Sequence, residues 1–256
     1  MLKRFFSSRK LNIIYSAISI ILMWVVWIIA YYCVKNDYVI PSFQDTFAAL
    51  FKCFTEGAFW VAASFSLLRT LEAFLISFVI AVALAVFSAL SKAFEAILKP
   101  VIALLRTLPT LAVILILLVW TNASVAPVIV TVLVLLPLIY ARINAQLNGI
   151  DRGLTEMADV YKIKAKDRIF KIYLPLVSPN ILSQTGADIS LGLKVIISAE
   201  VLSNTYKSLG GLMQNSRAFL EMPRLAALTL VAVAMGLIID LAVSQLARLT
   251  YKWSGK

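Results

Sequence analysis

The chain has 256 residues, 61% of them apolar, with 24 Lys or Arg, 13 Asp or Glu and no His. An apolar share so far above the 45–50% of soluble domains, with mean hydropathy +0.91, excludes an ordinary soluble protein. At about 20 apolar residues per membrane helix it leaves room for five or six spans. The missing His removes the usual metal ligand and general base, and Cys33 and Cys53 lack metal-ligand spacing and read as small apolar side chains.

In chain order, Lys3, Arg4, Arg9 and Lys10 precede the charge-free run Ile13–Val34. This run is longer than a signal-peptide core and has no small-residue cleavage site, so it predicts an uncleaved first span. Trp24, Trp27, Tyr31 and Tyr32 gather toward its far end as an interfacial aromatic belt does. In the loop that follows, Phe43–Phe54 has the pattern of an amphipathic surface helix. Further spans are expected at Ala73–Leu90, Pro100–Trp120, Ala123–Tyr140, Pro179–Leu202 and Leu225–Leu246. Pro127 and Pro137 would bend the fourth span where neighbours satisfy the freed carbonyls. The expected organisation is a cytoplasmic start (1–12), a first span (13–34), an external loop (35–66), a five-helix membrane domain (67–247) that includes a cytoplasmic loop (144–178), and a cytoplasmic tail (248–256).

With the amino terminus inside, the inner segments carry four, two, seven and three basic residues, sixteen in all, against five outside. That asymmetry is the positive-inside pattern of a multi-pass protein. The net charge of +11 is therefore topological, and no nucleic-acid partner is expected.

Seven of the inner basic residues lie between Arg142 and Lys171, in a charged insert within an apolar chain. Ile150, Leu154, Met157, Ala158 and Tyr161 share one helical face, and Asp151 is placed to cap the helix. A second short helix, about 164–174, puts Ala165, Ile169, Ile172 and Tyr173 on one side, with Pro175 and Pro179 expected to end it. Two such apolar stripes need a cover, either membrane lipid or a groove on a cytoplasmic partner.

Ionisable residues inside a span cost about 2.5–3.5 kcal/mol each on insertion scales and need a reason. Asp188, Lys194 and Glu200 stand six apart in the fifth span, so they point in three directions. That suits a helix surrounded by protein or water and makes the three candidate pathway residues. Packing or boundary roles remain open: a helix-packing pair for Asp188, snorkelling for Lys194 and solvation at the outer boundary for Glu200. Ser183/Ala187 and Gly186/Ser190 stand four apart, as close helix contact requires. Arg106 reads as a cytoplasmic-interface residue, and Asp240 as a local partner of Ser244 and Arg248.

The run Glu156-Met157-Ala158, three residues, Lys162, nine residues, Ile172-Tyr173-Leu174-Pro175 resembles the E-A-A-x3-G-x9-I-x-L-P loop of permease subunits of bacterial ATP-binding-cassette importers. "VIPSFQDTFAAL" (39–50), "SLLRTLEAF" (66–74), "LRTLPTLAVILILLVW" (105–120), "LGLKVIISAEVL" (191–202) and residues 208–241 extend the likeness in the same order. Together they resemble the branch serving nitrate, sulfonates, taurine, bicarbonate and thiamine-type precursors. The resemblance implies an all-α membrane protein of type I importer architecture in the bacterial inner membrane. It would have six transmembrane helices, both termini in the cytoplasm and a coupling-helix loop between helices four and five. Leu154, Glu156, Met157, Ala158, Tyr161, Lys162, Ile169, Leu174 and Pro175 would form the contact with an ATPase. The implied partners are two ATPase subunits, a second permease copy or paralogue, and an external substrate-binding protein. No G-x-x-x-x-G-K-[ST] phosphate loop occurs in the chain. No cofactor is therefore expected here, and ATP and Mg would be bound by the ATPase. Two positions depart from the pattern: Met157 replaces an Ala, and Lys162 replaces the turn Gly, so that either Lys162 takes a left-handed backbone or the bend differs. An intramembrane enzyme is disfavoured because no nucleophile, base or metal set is legible. The alternative to an ATP-driven importer is an ATP-independent channel or ion-coupled secondary transporter using Asp188, Lys194 and Glu200 as relays.

Overall fold

The structure is a computed structural model that describes the backbone of residues 2–254. The side chains of residues 2–14, 16, 17, 20, 152, 159, 165 and 248–254 lie outside the described set. The side chains of the expected cytoplasmic ends, 1–12 and 248–256, and with them the expected Asp240–Arg248 pair, therefore fall outside what is described. No strand occurs among the described residues. The elements are α1 (Leu2–Val34), α2 (Phe43–Thr55), α3 (Gly57–Leu90), α4 (Lys92–Thr107), α5 (Thr110–Trp120), α6 (Ala126–Asn148) and α7 (Arg152–Val160). The short α8 (Ala165–Asp167) and a π-helical stretch (Arg168–Tyr173) then lead into α9 (Leu174–Ser203), α10 (Leu209–Ala218) and α11 (Met222–Ser254).

The bundle is organised on α3 and α9. The buried face of α3 carries Ala62, Ser66, Thr70, Ala73, Ser77, Ala81, Ala85 and Ser88 at helical spacing, nearly all small. Small side chains let backbones approach, which is how helices associate where lipid provides no hydrophobic drive. The small hydroxyls of Thr70 and Ser77 are satisfied on their own helix, donating to carbonyls four residues back, whereas that of Ser66 bonds across to other helices. One apolar cluster joins Phe59, Leu193, Leu209, Met213 and Leu228, and a second joins Phe74, Leu135, Ile139, Ile143 and Ile189. α3 and α9 contribute to both. At the α9–α11 crossing, a Cβ on Gly186 would come within 2.8 Å of the Asp240 carbonyl oxygen, and one on Gly236 within 3.0 Å of Ser190 Oγ. The expected Gly186/Ser190 contact surface thus exists, and its partner on α11 is Gly236/Asp240.

Three helices are long and apolar enough to cross a bilayer: α3, α6 and Met222–Ala247 of α11. A fourth arises if α4 and α5 count as one broken span. The continuous third span expected at Pro100–Trp120 is two helices meeting at 94°. Pro109 has no N–H to continue the ladder, and it holds Leu108 in an extended conformation (φ −61°, ψ 127°). The second span begins earlier than its charge-free run, because α3 continues through Glu72 and Arg69 back to Gly57. Most of the expected external loop 35–66 is therefore helical, as α2 and the start of α3. Pro175 and Pro179 do not end the second helix of the insert, which runs on into α9. A π turn precedes them, with the Leu174 N–H donating to the carbonyl of Ile169, five residues back. This register relieves the clash that a proline ring makes with the fourth carbonyl upstream.

α2 lies against α11 with its amino terminus capped by Ser42, whose Oγ accepts the Asp45 N–H at 3.0 Å. Its Cys53 is 1% exposed within the first apolar cluster, and burial pushes the thiol above its ordinary pKa. Since the thiolate is the reactive form, a maleimide applied to the folded full-length protein should label exposed Cys33 quickly. It should leave Cys53 unlabelled until denaturant is added, so equal labelling of both under native conditions would contradict the α2–α11 packing.

Candidate functional site

The charged insert forms a compact cap on the end of the bundle where α6 finishes. Asp151 starts α7 as expected, its Oδ1 accepting the Gly153 N–H at 3.3 Å and its carbonyl accepting the Leu154 N–H at 3.1 Å. α7 ends in a Schellman arrangement: the Ile163 N–H donates to the Ala158 carbonyl at 2.9 Å, and Lys162 between them has φ 49°. Lys162 therefore does what a glycine would do, at a backbone cost of about 1–2 kcal/mol. Arg168 ties the two arms together. Its Nε donates to the Tyr173 hydroxyl at 2.7 Å, its Nη2 donates to the Thr155 carbonyl at 3.4 Å, and its guanidinium lies 5.4 Å from the Tyr173 ring centre.

The apolar residues of α7 divide between two sides. Ala158 is buried and Leu154 half-buried, facing the bundle. Met157, Val160 and Tyr161 face outward, with Val160 78% and Tyr161 75% exposed, and Phe170 and Leu174 of the following segment are exposed as well. Glu156, Lys162 and Pro175 are exposed and Ile169 is half-buried. The sequence stripe had placed Leu154, Met157, Ala158 and Tyr161 on one face without separating the inward from the outward members. It had omitted Val160 and Phe170, which the structure leaves exposed like Tyr161.

In the fifth expected span, two of the three charges are paired inside the chain. Asp188 is 4% exposed and accepts from Arg142 Nη1 of α6 at 2.6 Å. Glu200 is fully buried, not solvated at a boundary. Its Oε2 accepts from Ser66 Oγ at 2.6 Å and from the Gly210 N–H at 3.3 Å, and its Oε1 accepts from Arg69 Nη1 at 2.9 Å. Ser66 Oγ in turn accepts the Leu209 N–H at 2.9 Å. A Cβ on Gly210 would lie 2.4 Å from the Glu200 Cβ, so only glycine lets α10 come this close. Lys194 points elsewhere, exposed beside Ser198 on the face of α9 away from these pairs. A third cross-helix pair, Arg224 Nη2 to Glu56 Oε2 at 2.6 Å, joins α11 to the start of α3.

Arg69, Arg142 and Ser66 had no role assigned from sequence. The available signal was the general one that an acid inside a bilayer requires a base, and Arg69 already sat at the edge of a span. Among the described residues no group of three or more His, Cys, Asp or Glu is placed to hold a metal ion.

An all-helical bundle with several helices long and apolar enough to cross a membrane and buried cross-helix ion pairs defines a polytopic membrane protein. Residues 77–252 match the family described as the binding-protein-dependent transport system inner membrane component, and the chain belongs to that family. It is thus an inner-membrane permease component of an ATP-binding-cassette transporter, a transport subunit and not an enzyme, and its family works with ATPase and substrate-binding-protein partners. It is similar to a protein of Escherichia coli named as an aliphatic sulfonates transport permease, SsuC, with 29% identity over 220 residues, covering 84% of this chain and 82% of the relative. Its namesake in Bacillus subtilis is 27% identical over 191 residues (73% and 68% covered). A protein of Methanocaldococcus jannaschii named as an ABC transporter permease is 21% identical over 235 residues (90% and 88% covered). A solved amino acid ABC transporter, crystallised with histidines, shares the fold, with a TM-score of 0.62 at 19% identity over 76% of this chain and 93% of that one.

The Glu200 cluster has a measurable consequence. Removing one partner of a buried pair strands the other, at about 3–5 kcal/mol, whereas an apolar replacement of both is near neutral. Arg69→Ala should therefore lower the thermal unfolding midpoint of the detergent-purified protein markedly. The double variant Arg69→Met with Glu200→Leu should recover most of the loss.

Proposed function

We propose that this chain is the pathway-forming subunit of an importer for a small oxyanion or sulfonate, or a thiamine-type precursor, and that residues 151–174 are the lever through which partner ATPases drive it. Two copies, or one copy with a paralogue, form the pathway, and an external binding protein delivers the substrate. Six spans cross the membrane. α1, the broken pair α4–α5 and α9 join the three helices that qualify by length and composition, with both termini and the 144–178 loop in the cytoplasm and 35–66 outside. α9 carries Asp188, Lys194 and Glu200 and is not among the helices that qualify by length and composition; pairing with Arg142 and Arg69 lowers the cost of placing its two acids in the bilayer.

The observation that carries the coupling assignment is the outward cluster Met157, Val160, Tyr161, Phe170 and Leu174. Large apolar side chains left bare in a strongly charged segment mark an interaction surface, and burying each contributes about 1.5–3 kcal/mol. A short amphipathic helix with anchors three and four residues apart fits the helix-in-groove mode. Arg168 and the Schellman turn hold the anchors in one arrangement, so a push on α7 is transmitted through the π stretch into α9. Coupling of this kind is reciprocal: a motor state that biases the bundle is biased equally by substrate delivery. The substrate class is supported by the similarity to the two sulfonate permeases and by exposed Lys194. A relay mechanism without ATP would need acids free to exchange protons or ions, and Asp188 and Glu200 are both held by arginines.

The test is co-purification of the ATPase with the full-length chain and uptake in reconstituted vesicles. Tyr161→Glu and Val160→Glu, both at exposed positions, should each release the ATPase and lower ATP-dependent uptake at least tenfold while leaving the unfolding midpoint within a few degrees. Retention of the ATPase by both variants would refute the lever.

A further inference from the structure

α4 carries two opposed faces. Lys92, Lys99 and Arg106 are seven apart, which on a helix of 3.6 residues per turn places all three within a sector of about 40°. Ile97, Val101 and Leu104 lie roughly on the opposite side and are 71%, 49% and 59% exposed. The apolar face suits lipid. The basic face borders a groove of about 600 Å³ between α4 and α6, whose far wall includes Tyr140 and Asn144. Seven residues of helix rise about 10.5 Å, so the three cations form a lane along the groove and not a single point.

Glu95 is near enough to Lys99 and Lys92 to offset part of their charge, but it forms no ion pair with either. Among the described residues none of the three has an ion-pair partner within 4 Å. The one acid in the groove, Glu95, is turned to the opposite wall, where its Oε1 accepts from Asn144 Nδ2 at 2.8 Å and from Asn148 Nδ2 at 3.1 Å. Lys92 also sits in the first turn of α4, where the helix dipole disfavours positive charge, so its presence there is not for the helix's own stability. A water-facing groove lined by unpaired cations between low-dielectric walls concentrates anions and raises their local encounter rate by about 10–1,000-fold.

We infer that the α4–α6 groove is a binding lane for an oxyanion, a sulfonate, sulfate or phosphate group, at the end of the bundle that carries α7. Its natural occupant is the transported anion after it leaves the membrane, an identification that rests on the substrate class proposed above. The same chemistry would also recognise the phosphate of an anionic lipid headgroup. Lys99 and Arg106 grip the anionic group from α4, and Lys92 draws it along toward water. Clamping Glu95 to α6 keeps its carboxylate from closing the lane.

The experiment places a cysteine in the lane. In the full-length chain with Cys33→Ala and Cys53→Ala, reconstituted in neutral phosphatidylcholine nanodiscs, exposed Ala103 and Ala96 are each changed to Cys. Labelling rates are compared for an anionic sulfonatoethyl thiosulfonate reagent and its cationic trimethylammonium counterpart, each normalised to a free thiol. The normalised anionic-to-cationic ratio should be at least tenfold at both positions and should fall to about one when Lys92, Lys99 and Arg106 are changed to Gln. Millimolar methanesulfonate that slows the anionic reagent identifies a free oxyanion as the occupant. Slowing only when phosphatidylglycerol replaces phosphatidylcholine identifies a lipid headgroup; either result supports the lane. A ratio near one at both cysteines, or a high ratio that survives the triple substitution, overturns it. None of these readings depends on ATPase binding, so the lane and the lever at 151–174 stand or fall separately.

Discussion

A carboxylate removed from water must be met by positive charge and by hydrogen bonds, and the packing of this molecule is arranged around that requirement at Glu200. Its two oxygens receive a guanidinium and a hydroxyl from α3 and a backbone N–H from α10, all at once. To make those contacts, α3 must present Ser66 and Arg69 one turn apart, α10 must have a glycine at its second residue, Gly210, and α9 must pack against both. The small-residue stripe of α3 is the other half of the same constraint, since the short cross-helix hydrogen bonds require backbones that approach closely. Asp188 with Arg142 makes a second cross-helix pair near the middle of α9, through one carboxylate oxygen, the other being buried without a hydrogen-bond partner, so the central helix is pinned at two heights to two neighbours.

A helix held in this way moves most readily together with its partners, which is compatible with the proposed drive from one end. The cap formed by α7, the Lys162 turn and the π stretch is continuous in the chain with α9, and Arg168 bridges its two arms. Under the proposed coupling, force on the exposed residues of α7 would enter a bridged segment that continues into α9. The prolines that would ordinarily interrupt such a path are absorbed by the wider register before them. Lys162 in a left-handed conformation holds its strain because the Ile163–Ala158 bond and the buried Ala158 leave the backbone no cheaper turn.

The degree to which this was legible in the sequence differed by element. The charged insert, its two-part helical character, its Asp151 cap and its likeness to an importer loop all lie in local pattern, and local pattern survives folding. The third span was misjudged as continuous because hydropathy averages over Leu108-Pro109, whereas the backbone responds to the single missing donor. The second span was judged too short because a charge-free criterion stops at Glu72, while the helix tolerates Arg69 once Glu200 neutralises it. Glu200 itself was suspected of facing a pathway or solvent, and neither periodicity nor spacing could indicate that a serine 134 residues earlier in the chain donates to it.

By itself the sequence determined the class: a helical membrane protein with a charged loop at one end and an importer-permease pattern. The helical membrane class and the charged loop follow from composition, from period 3.6 and from the distribution of Lys and Arg, each a sum over neighbours along the chain; the permease pattern came from the resemblance of residues 156–175 and the flanking stretches to a known family. Tertiary structure alone decided which charges are structural and which are free, since burial and pairing depend on residues remote in sequence. It separated the inward Leu154 and Ala158 from the outward Val160 and Tyr161, set α4 across α5, and left Lys92, Lys99 and Arg106 open to a groove. The physical reason is the same in each case: a side chain's role follows from its surroundings, and those surroundings are assembled only when distant helices meet.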